Sequence, residues 1–372
     1  MNILITGANG FIGKNLKVNI LAQKSEEDRV FCHDLETSDD ELLEFCGVVD
    51  FVFHLAGVNR PEKNEEFYQG NSGLTQKLLD FLEKQQNLCP VLMPSSIHAS
   101  SDNDYGKSKK QAEDLLFAYG KKHGATVYVY RLPGVFGKWC RPNYNSVVAT
   151  FCHNIAHDEQ VMINGRETAI RLVYIDDVVG EFLSAMRGVP NKKSDGFCEV
   201  PVTYETTLGE LLDMIESFKD SRKSLSITDM SNPLKKKLYS TYLSYLPEEG
   251  FSYFPEMHRD SRGSFTELIK TFDRSQVSVN VIKPGVTKGQ HWHNTKNEKF
   301  IVVFGSGVIR FRKIGQDQCL EYAVSSDPIE IVDIPVGYTH NIENTGGTDM
   351  VVLIWCNELL DPENPDTYYE EV

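Results

Sequence analysis

The sequence predicts a doubly wound α/β domain with a parallel sheet, followed by an all-β barrel. Three observations carry that expectation. Short apolar runs alternate with helical patterns through the first half of the chain. A glycine-rich turn joins the first such run to the first helical pattern. Beyond about residue 260, helical periodicity gives way to short strands separated by Gly and Pro turns. At 372 residues the chain is long enough to bury two cores. The junction is expected near residue 245, separating 1–245 from 246–372.

The first strand is expected at residues 2–6, where Ile3-Leu4-Ile5 is an uninterrupted apolar run. Strands of a parallel sheet, buried on both faces, carry such runs. A helix is expected at 11–23, a strand at 29–33, a helix at 39–45 and a strand at 50–55. A helix at 71–85, a strand at 90–95, a helix at 105–123 and a strand at 126–131 complete the alternation. One more amphipathic helix is expected at 208–218, and residues 220–238, with Lys235-Lys236-Lys237, read as a polar surface excursion. In the barrel region Gln276-Val277-Ser278-Val279-Asn280-Val281 alternates strictly. One face of that strand meets a core, and Gln276, Ser278 and Asn280 face water or a polar pocket.

With 41% hydrophobic and 24% charged residues, the composition is that of an ordinary soluble globular protein. A net charge of −15 argues against nucleic acid or an anionic membrane as partner. No apolar run is long enough to span a bilayer, and the opening residues lack the pattern of a secretory leader. The eight cysteines form no C-x-x-C pair, which suits reduced thiols in a cytoplasmic protein.

Gly7-Ala8-Asn9-Gly10-Phe11-Ile12-Gly13 follows the first strand and opens a helix. Such glycines let backbone N–H groups approach a pyrophosphate at a helix N-terminus, so a dinucleotide site is expected at Gly7, Gly10, Phe11, Ile12 and Gly13. Asp34, about twenty residues on, is placed to bind a ribose hydroxyl and would favour NADH; His33 and Lys14 are weaker candidates for a 2′-phosphate. Tyr105 and Lys109 lie one helical turn apart and follow Ser95-Ser96 at the end of a strand. A hydride reduction needs a proton donor to the developing alkoxide. A Tyr whose pKa a nearby Lys⁺ lowers would serve, with a serine hydroxyl holding the carbonyl.

Together these residues resemble the extended short-chain dehydrogenase/reductases that act on nucleotide sugars, whose first domain is of the Rossmann type. His54-Leu55-Ala56-Gly57, Asn71, residues 131–137 and residues 173–178 fit further segments of that family, with Gly134 where the family often has Asn. The resemblance covers residues 1 to about 240. It implies Ser96, Tyr105 and Lys109 as the catalytic trio and adds Leu55, Ala56 and Gly57 to the cofactor site.

The second half carries G-x5-H-x-H-x4-E-x6-G from Gly285 through His291, His293 and Glu298 to Gly305, then Pro335, Gly337, His340 and Asn344. Imidazoles and a carboxylate at such spacing suit Zn, Fe, Mn, Ni or Cu, and the ligand set alone does not choose among them. The pattern resembles the cupin signature, which implies a jelly-roll barrel, with Ile329 where the second motif usually opens on glycine. Residues 260–267 resemble the start of cupin sugar epimerases acting on 4-keto-6-deoxy nucleotide sugars. Such enzymes remove a proton beside a ketone; Gln276, Asn280 and Tyr338 are candidate participants.

A reductase fused to a metal cupin, with residues 136–146, 238–247 and 335–344, resembles the bifunctional capsular-polysaccharide enzymes of UDP-N-acetyl-L-fucosamine synthesis. That resemblance implies C3 epimerisation of a UDP-linked 4-keto-6-deoxy-N-acetylhexosamine on a zinc cupin. Reduction of the C4 ketone by NADPH then gives UDP-N-acetyl-6-deoxy-L-talosamine. It also implies a homodimer. Lys138, Arg141 and Asn143 are candidate UDP contacts. The alternative keeps the reductase and makes the cupin a substrate-binding or dimerisation module.

Overall fold

The computed structural model describes residues 1–363 and 365–372. Internal contacts divide the chain into two units, Met1–Glu216 with Lys237–Pro247 and Ser217–Lys236 with Glu248–Val372. The chain therefore passes from the first unit to the second, returns, and leaves again.

In the first unit, β1 (Asn2–Thr6), β2 (Arg29–His33), β3 (Phe51–His54), β4 (Val91–Ser96) and β5 (Val127–Leu132) form one sheet in the order β2-β1-β3-β4-β5. Every pairing in it is parallel. Strand alternation sorts its side chains into two cores. Ile3, Ile5, Phe51, Phe53, Tyr128 and Tyr130 face helices α1 (Phe11–Gln23) and α7 (Ile175–Met186). Leu4, Val52, Val91, Met93 and Val129 face α2 (Asp39–Val48), α4 (Leu74–Lys84) and α5 (Asp104–His123). The expected doubly wound sheet is present, with helices on both faces. The strand order reverses between β1 and β3, and ligands of such sheets bind outside the carboxyl ends of the strands at that crevice.

The helix expected at 71–85 begins earlier. A short α3 (Glu65–Tyr68) runs into a π-turn over Gln69–Gly73 before α4. That turn carries Asn71, which is buried. After β5, helix α6 (Val147–Ala156) and a small sheet of β6 (Gly134–Phe136), β7 (Ala169–Tyr174) and β8 (Tyr204–Thr207) follow. Helix α8 (Leu208–Ser224) outruns the expected 208–218. Much of the expected surface excursion is helical as well, because α9 (Pro233–Leu243) buries Leu238, Thr241 and Tyr242. No described helix is long and apolar enough to cross a membrane.

In the second unit the strands are β9 (Met257–Asp260), β10 (Gly263–Lys270), β11 (Gln276–Ile282), β12 (Thr287–Trp292), β13 (Glu298–Phe304) and β14 (Ser306–Lys313). They continue with β15 (Cys319–Ser325), β16 (Ile331–Ile334), β17 (Tyr338–Glu343), β18 (Met350–Cys356) and β19 (Tyr368–Tyr369). Two antiparallel sheets result, β16-β13-β18-β11-β10-β9 and β15-β14-β17-β12-β19. Phe300, Val302, Val352 and Ile354 of the first share a core with Ile309, Phe311, Val324 and Ile342 of the second.

In β11 it is the polar face that turns inward. Gln276 and Ser278 are buried, whereas Val277, Val279 and Val281 are half-exposed. Gln276 stands in a cross-strand row with Cys356 and Glu298, so one end of the sandwich interior is polar.

Candidate active site and metal centre

A cleft of about 810 Å³ in the first unit is lined by Gly7, Gly10, Phe11, Ile12, Gly13, Leu55, Gly57, Ser96, Tyr105 and Lys109. The glycine loop follows β1, Leu55–Gly57 follows β3, and Ser96 ends β4, so the parallel sheet delivers all of them to one rim. A Cβ added at Gly13 would lie 2.1 Å from the Gly7 carbonyl oxygen, which is why the loop can fold onto the start of α1 only with glycine there. Ala56 donates its N–H to Thr6 Oγ1 at 3.2 Å and is not among the cleft-lining residues.

Ser96 Oγ accepts the His98 N–H at 3.1 Å. Asn103 caps α5 by accepting the Gly106 N–H at 2.7 Å, and Tyr105 and Lys109 stand in the first turns of that helix. Burial pushes the Tyr105 phenol above its usual pKa, and a hydrogen bond with Ser96 partly offsets this. The net direction is therefore upward, opposite to the lowering expected from Lys109, because removal from water penalises the phenolate. Lys109 carries the larger consequence of burial, its ammonium pulled down to about 8 while Glu113 works against the shift. Its Nζ approaches Gly57, where an added Cβ would stand 3.0 Å away, beside the Asn71 side-chain oxygen. Asn71 is fixed there by bonds to both Val58 backbone groups and to Ser108 Oγ.

Asp34 stands just past β2, and its carboxylate accepts the Asn9 N–H at 2.8 Å. His33 is buried, and Lys14 lines the cleft. Of the three candidate UDP contacts, Arg141 lines the cleft with its guanidinium 5.1 Å from the Tyr144 ring centroid. Lys138 instead pairs with Asp176 at 2.6 Å. The Asn143 backbone donates to Thr150 Oγ1 at 3.0 Å, and neither Lys138 nor Asn143 is among the cleft-lining residues. Trp139 and Tyr144, not singled out from sequence, do line it.

In the second unit His291, His293, Glu298 and His340 each offer one donor atom, and all four atoms lie within 4.8 Å of one another. His291 and His340 face each other across the β12–β17 pairing. A bulge there, with Gln290 at φ 66°, sets the approach of His291. His293 follows the end of β12, and Glu298 opens β13 in the opposite sheet. The Glu298 carboxylate is 3.6 Å from His293 Nε2 and 3.5 Å from His340 Nε2. Both of those nitrogens are buried without a hydrogen-bond partner. Buried polar atoms are rarely left so, and orphaned imidazole nitrogens converging on a carboxylate fit a cation.

Burial, and then the neighbouring imidazoles, push His291 down to about 4, which favours the neutral ligand form. For His293 burial acts downward as well, but Glu298 and the Asp366 carbonyl outweigh it and raise the pKa. Glu298 is held well below the usual carboxylate range: burial acts upward, and His293 and His340 overcome it.

Gln276 shares the polar interior with the cluster, its Oε1 accepting the Leu360 N–H at 3.2 Å. Asn280 Oδ1 accepts from Lys288 Nζ at 3.3 Å. Tyr338 lines a separate hollow of about 420 Å³ with Phe311, Leu320 and Tyr322, and the four donors do not line it.

Residues 3–196 match the NAD dependent epimerase/dehydratase family, and residues 258–368 match the polysaccharide biosynthesis C-terminal domain. A UDP-2-acetamido-2,6-beta-L-arabino-hexul-4-ose reductase of Pseudomonas aeruginosa is 47% identical over 369 residues, 99% of this chain and 98% of its own. The capsular polysaccharide assembling protein CapF from Staphylococcus aureus is 52% identical, with a TM-score of 0.95 and 100% of both chains covered. The UDP-glucose 4-epimerase of Thermotoga maritima, 20% identical, shares the fold over 66% of this chain and 98% of its own, with a TM-score of 0.55.

Proposed function

The chain belongs to the NAD dependent epimerase/dehydratase family, and from that premise we propose a bifunctional nucleotide-sugar enzyme of polysaccharide biosynthesis. Its second unit, read as a cupin, epimerises C3 of a UDP-linked 4-keto-6-deoxy-N-acetylhexosamine. Its first unit reduces the C4 ketone to give UDP-N-acetyl-6-deoxy-L-talosamine. The observation that carries this reading is the pairing on one chain of a reductase cleft with a four-donor cluster. The activity for which the Pseudomonas relative is named, that of a hexul-4-ose reductase, supports the reduction step.

In the cleft, a nicotinamide dinucleotide bound over the glycine loop supplies the hydride; the proposed reductant is NADPH, although the Asp34 carboxylate favours NADH. Ser96 holds the ketone oxygen by a hydrogen bond. The Tyr105 phenol, kept protonated by burial, gives its proton to that oxygen as it becomes an alkoxide. Lys109, beside Gly57 and Asn71, brings a positive charge to the same rim.

In the second unit His291, His293, Glu298 and His340 hold the metal, proposed as one zinc per chain. When bound, such a cation polarises a ketone oxygen and stabilises the enolate left by proton removal. The polar interior at Gln276 keeps hydrogen-bonding groups beside that site. The same C4 ketone makes the C3 proton acidic and is then consumed by reduction, which draws the epimerisation forward. A cytoplasmic homodimer completes the reading. The cross-strand row of apolar residues Val279, Leu353, Ile301 and Ile331 on the six-stranded sheet is the surface proposed for that pairing.

The test is oxidation of NADPH, with NADH alongside, by a UDP-4-keto-6-deoxy-N-acetylhexosamine in D₂O, for wild type, Tyr105→Phe and His291→Ala. Wild type is expected to consume NADPH and to leave deuterium at C3. Tyr105→Phe loses reduction and keeps exchange, and His291→Ala loses exchange. Reduction by wild type without deuterium at C3 would make the second unit a binding module, and no reduction at all would remove the substrate assignment.

A further inference from the structure

The segment from Asp366 to Val372 runs beside three of the four donor residues. Strand β19 pairs with β12, placing Tyr369 opposite His291 and Tyr368 opposite Trp292, whose rings stack with centroids 4.8 Å apart. Glu370 donates its N–H to the Gln290 carbonyl at 3.0 Å, and its own carbonyl accepts from Thr339 Oγ1, next to His340. Arg312 Nη2 donates to the Glu370 carboxylate at 2.8 Å.

Asp366 makes the most concentrated set of contacts. Its backbone carbonyl accepts from His293 Nδ1 at 2.6 Å. Its carboxylate accepts the N–H groups of Asn294, Thr295 and Lys296 at 3.1, 2.8 and 2.9 Å, and the Thr295 hydroxyl at 3.1 Å. One residue therefore holds the whole turn between the donors His293 and Glu298. It does so from a left-handed backbone conformation, φ 39°, that most L-residues avoid and Asp tolerates.

A carbonyl can only accept, so the Nδ1 that meets it carries the proton, and the lone pair of the neutral ring is left on Nε2. That Nε2 is the buried atom without a partner, facing Glu298. We propose that Asp366 is a positioning residue of the metal centre: its carbonyl fixes the tautomer and ring plane of His293, and its carboxylate fixes the turn that carries His293 to Glu298. This rests on the metal-binding reading of the cluster. A hydrogen-bonded outer partner of this kind, when removed, typically lowers metal affinity by about 10–100-fold.

The experiment is zinc affinity by competition with a chromophoric chelator, for the full chain as wild type, Asp366→Ala, Asp366→Asn and Asp361→Ala. Asp361 is exposed and serves as the control. Alanine keeps the backbone carbonyl and removes the carboxylate that holds the turn, so the expected result is a loss of about tenfold for Asp366→Ala, the low end of that range, with partial recovery in Asp366→Asn and no change in Asp361→Ala. The visible spectrum of the cobalt-substituted protein should shift for Asp366→Ala. In the zinc-loaded wild type, nitrogen-15 NMR should find the His293 proton on Nδ1, a readout that holds even if the alanine variant fails to fold. Wild type without zinc affinity would overturn the metal reading and this proposal with it. Zinc bound equally by wild type and Asp366→Ala with unchanged cobalt spectra, or a His293 proton on Nε2, would overturn the Asp366 proposal alone.

Discussion

Arg131 grips Glu113 with two parallel hydrogen bonds, Nε to Oε1 at 2.8 Å and Nη2 to Oε2 at 2.6 Å. Glu113 is 0% exposed and lies one turn beyond Lys109 on α5, while Arg131 is on β5. Ser95 Oγ, next to Ser96 on β4, donates to the same carboxylate at 2.7 Å. The forked pair ties the helix that bears Tyr105 and Lys109 to β5, and the Ser95 bond ties it to β4, the strand that ends in Ser96. Removing one partner of a buried pair strands the other charge. Glu113→Ala is expected to destabilise the first unit by about 3 kcal/mol in urea unfolding, and Glu113→Gln, which keeps one acceptor, by less.

Lys109 gives a pH signature. Burial lowers its pKa in the folded state to about 8, below that of an exposed lysine. The unfolded chain thus holds more protons between pH 8 and the ordinary lysine range, so this residue's contribution to stability rises with pH across that window. Below pH 8 both states are protonated and the full penalty applies. Lys109→Met is therefore expected to melt higher than wild type at pH 7, by a margin that shrinks as pH is raised from about 8 toward 10.5. Calorimetry at several pH values reads it, and the variant should lose reductase activity.

Gly13→Ala tests the loop. Its methyl group meets the Gly7 carbonyl, so the turn must open. Affinity for NADPH is expected to fall at least about tenfold, a loss of about 1.4 kcal/mol, by fluorescence titration. Zinc affinity should be unchanged.

Metal linkage provides a fourth test. A ligand that binds only the folded state at a hundred times its Kd adds about 2.7 kcal/mol of stability. Zinc at that level should raise one thermal transition of the wild type, and a chelator should reverse the shift. In His340→Ala, which removes the donor at the centre of β17, the zinc response should vanish.

The parallel sheet was legible because its strands are continuous apolar runs and its helices follow at regular intervals; β1 and α1 begin and end at the expected residues. The donors His291, His293, Glu298 and His340 were legible because three of them fall within eight residues of sequence. Asp366 was not: it meets His293 across 73 residues and leaves no local spacing to read. Glu113 resembled any charged residue on an exposed helix, and only the position of Arg131 explains its burial. Lys138 and Asn143 have the right chemistry for a diphosphate, but Lys138 pairs with Asp176 and the Asn143 side-chain amide donates to Asn154.

Strand β11 has one further implication. Judged by hydropathy alone it is inside out, since Gln276 and Ser278 face inward while three valines look outward. A slip of one residue would bury the valines and expel the amides, so the segment's local preference opposes the native register. Pairing on both sides, to β10 and to β18 along the whole strand, must overrule that preference. The four-donor end of the sandwich is thus a locally frustrated part of the fold, where solvation preference yields to the polar cluster.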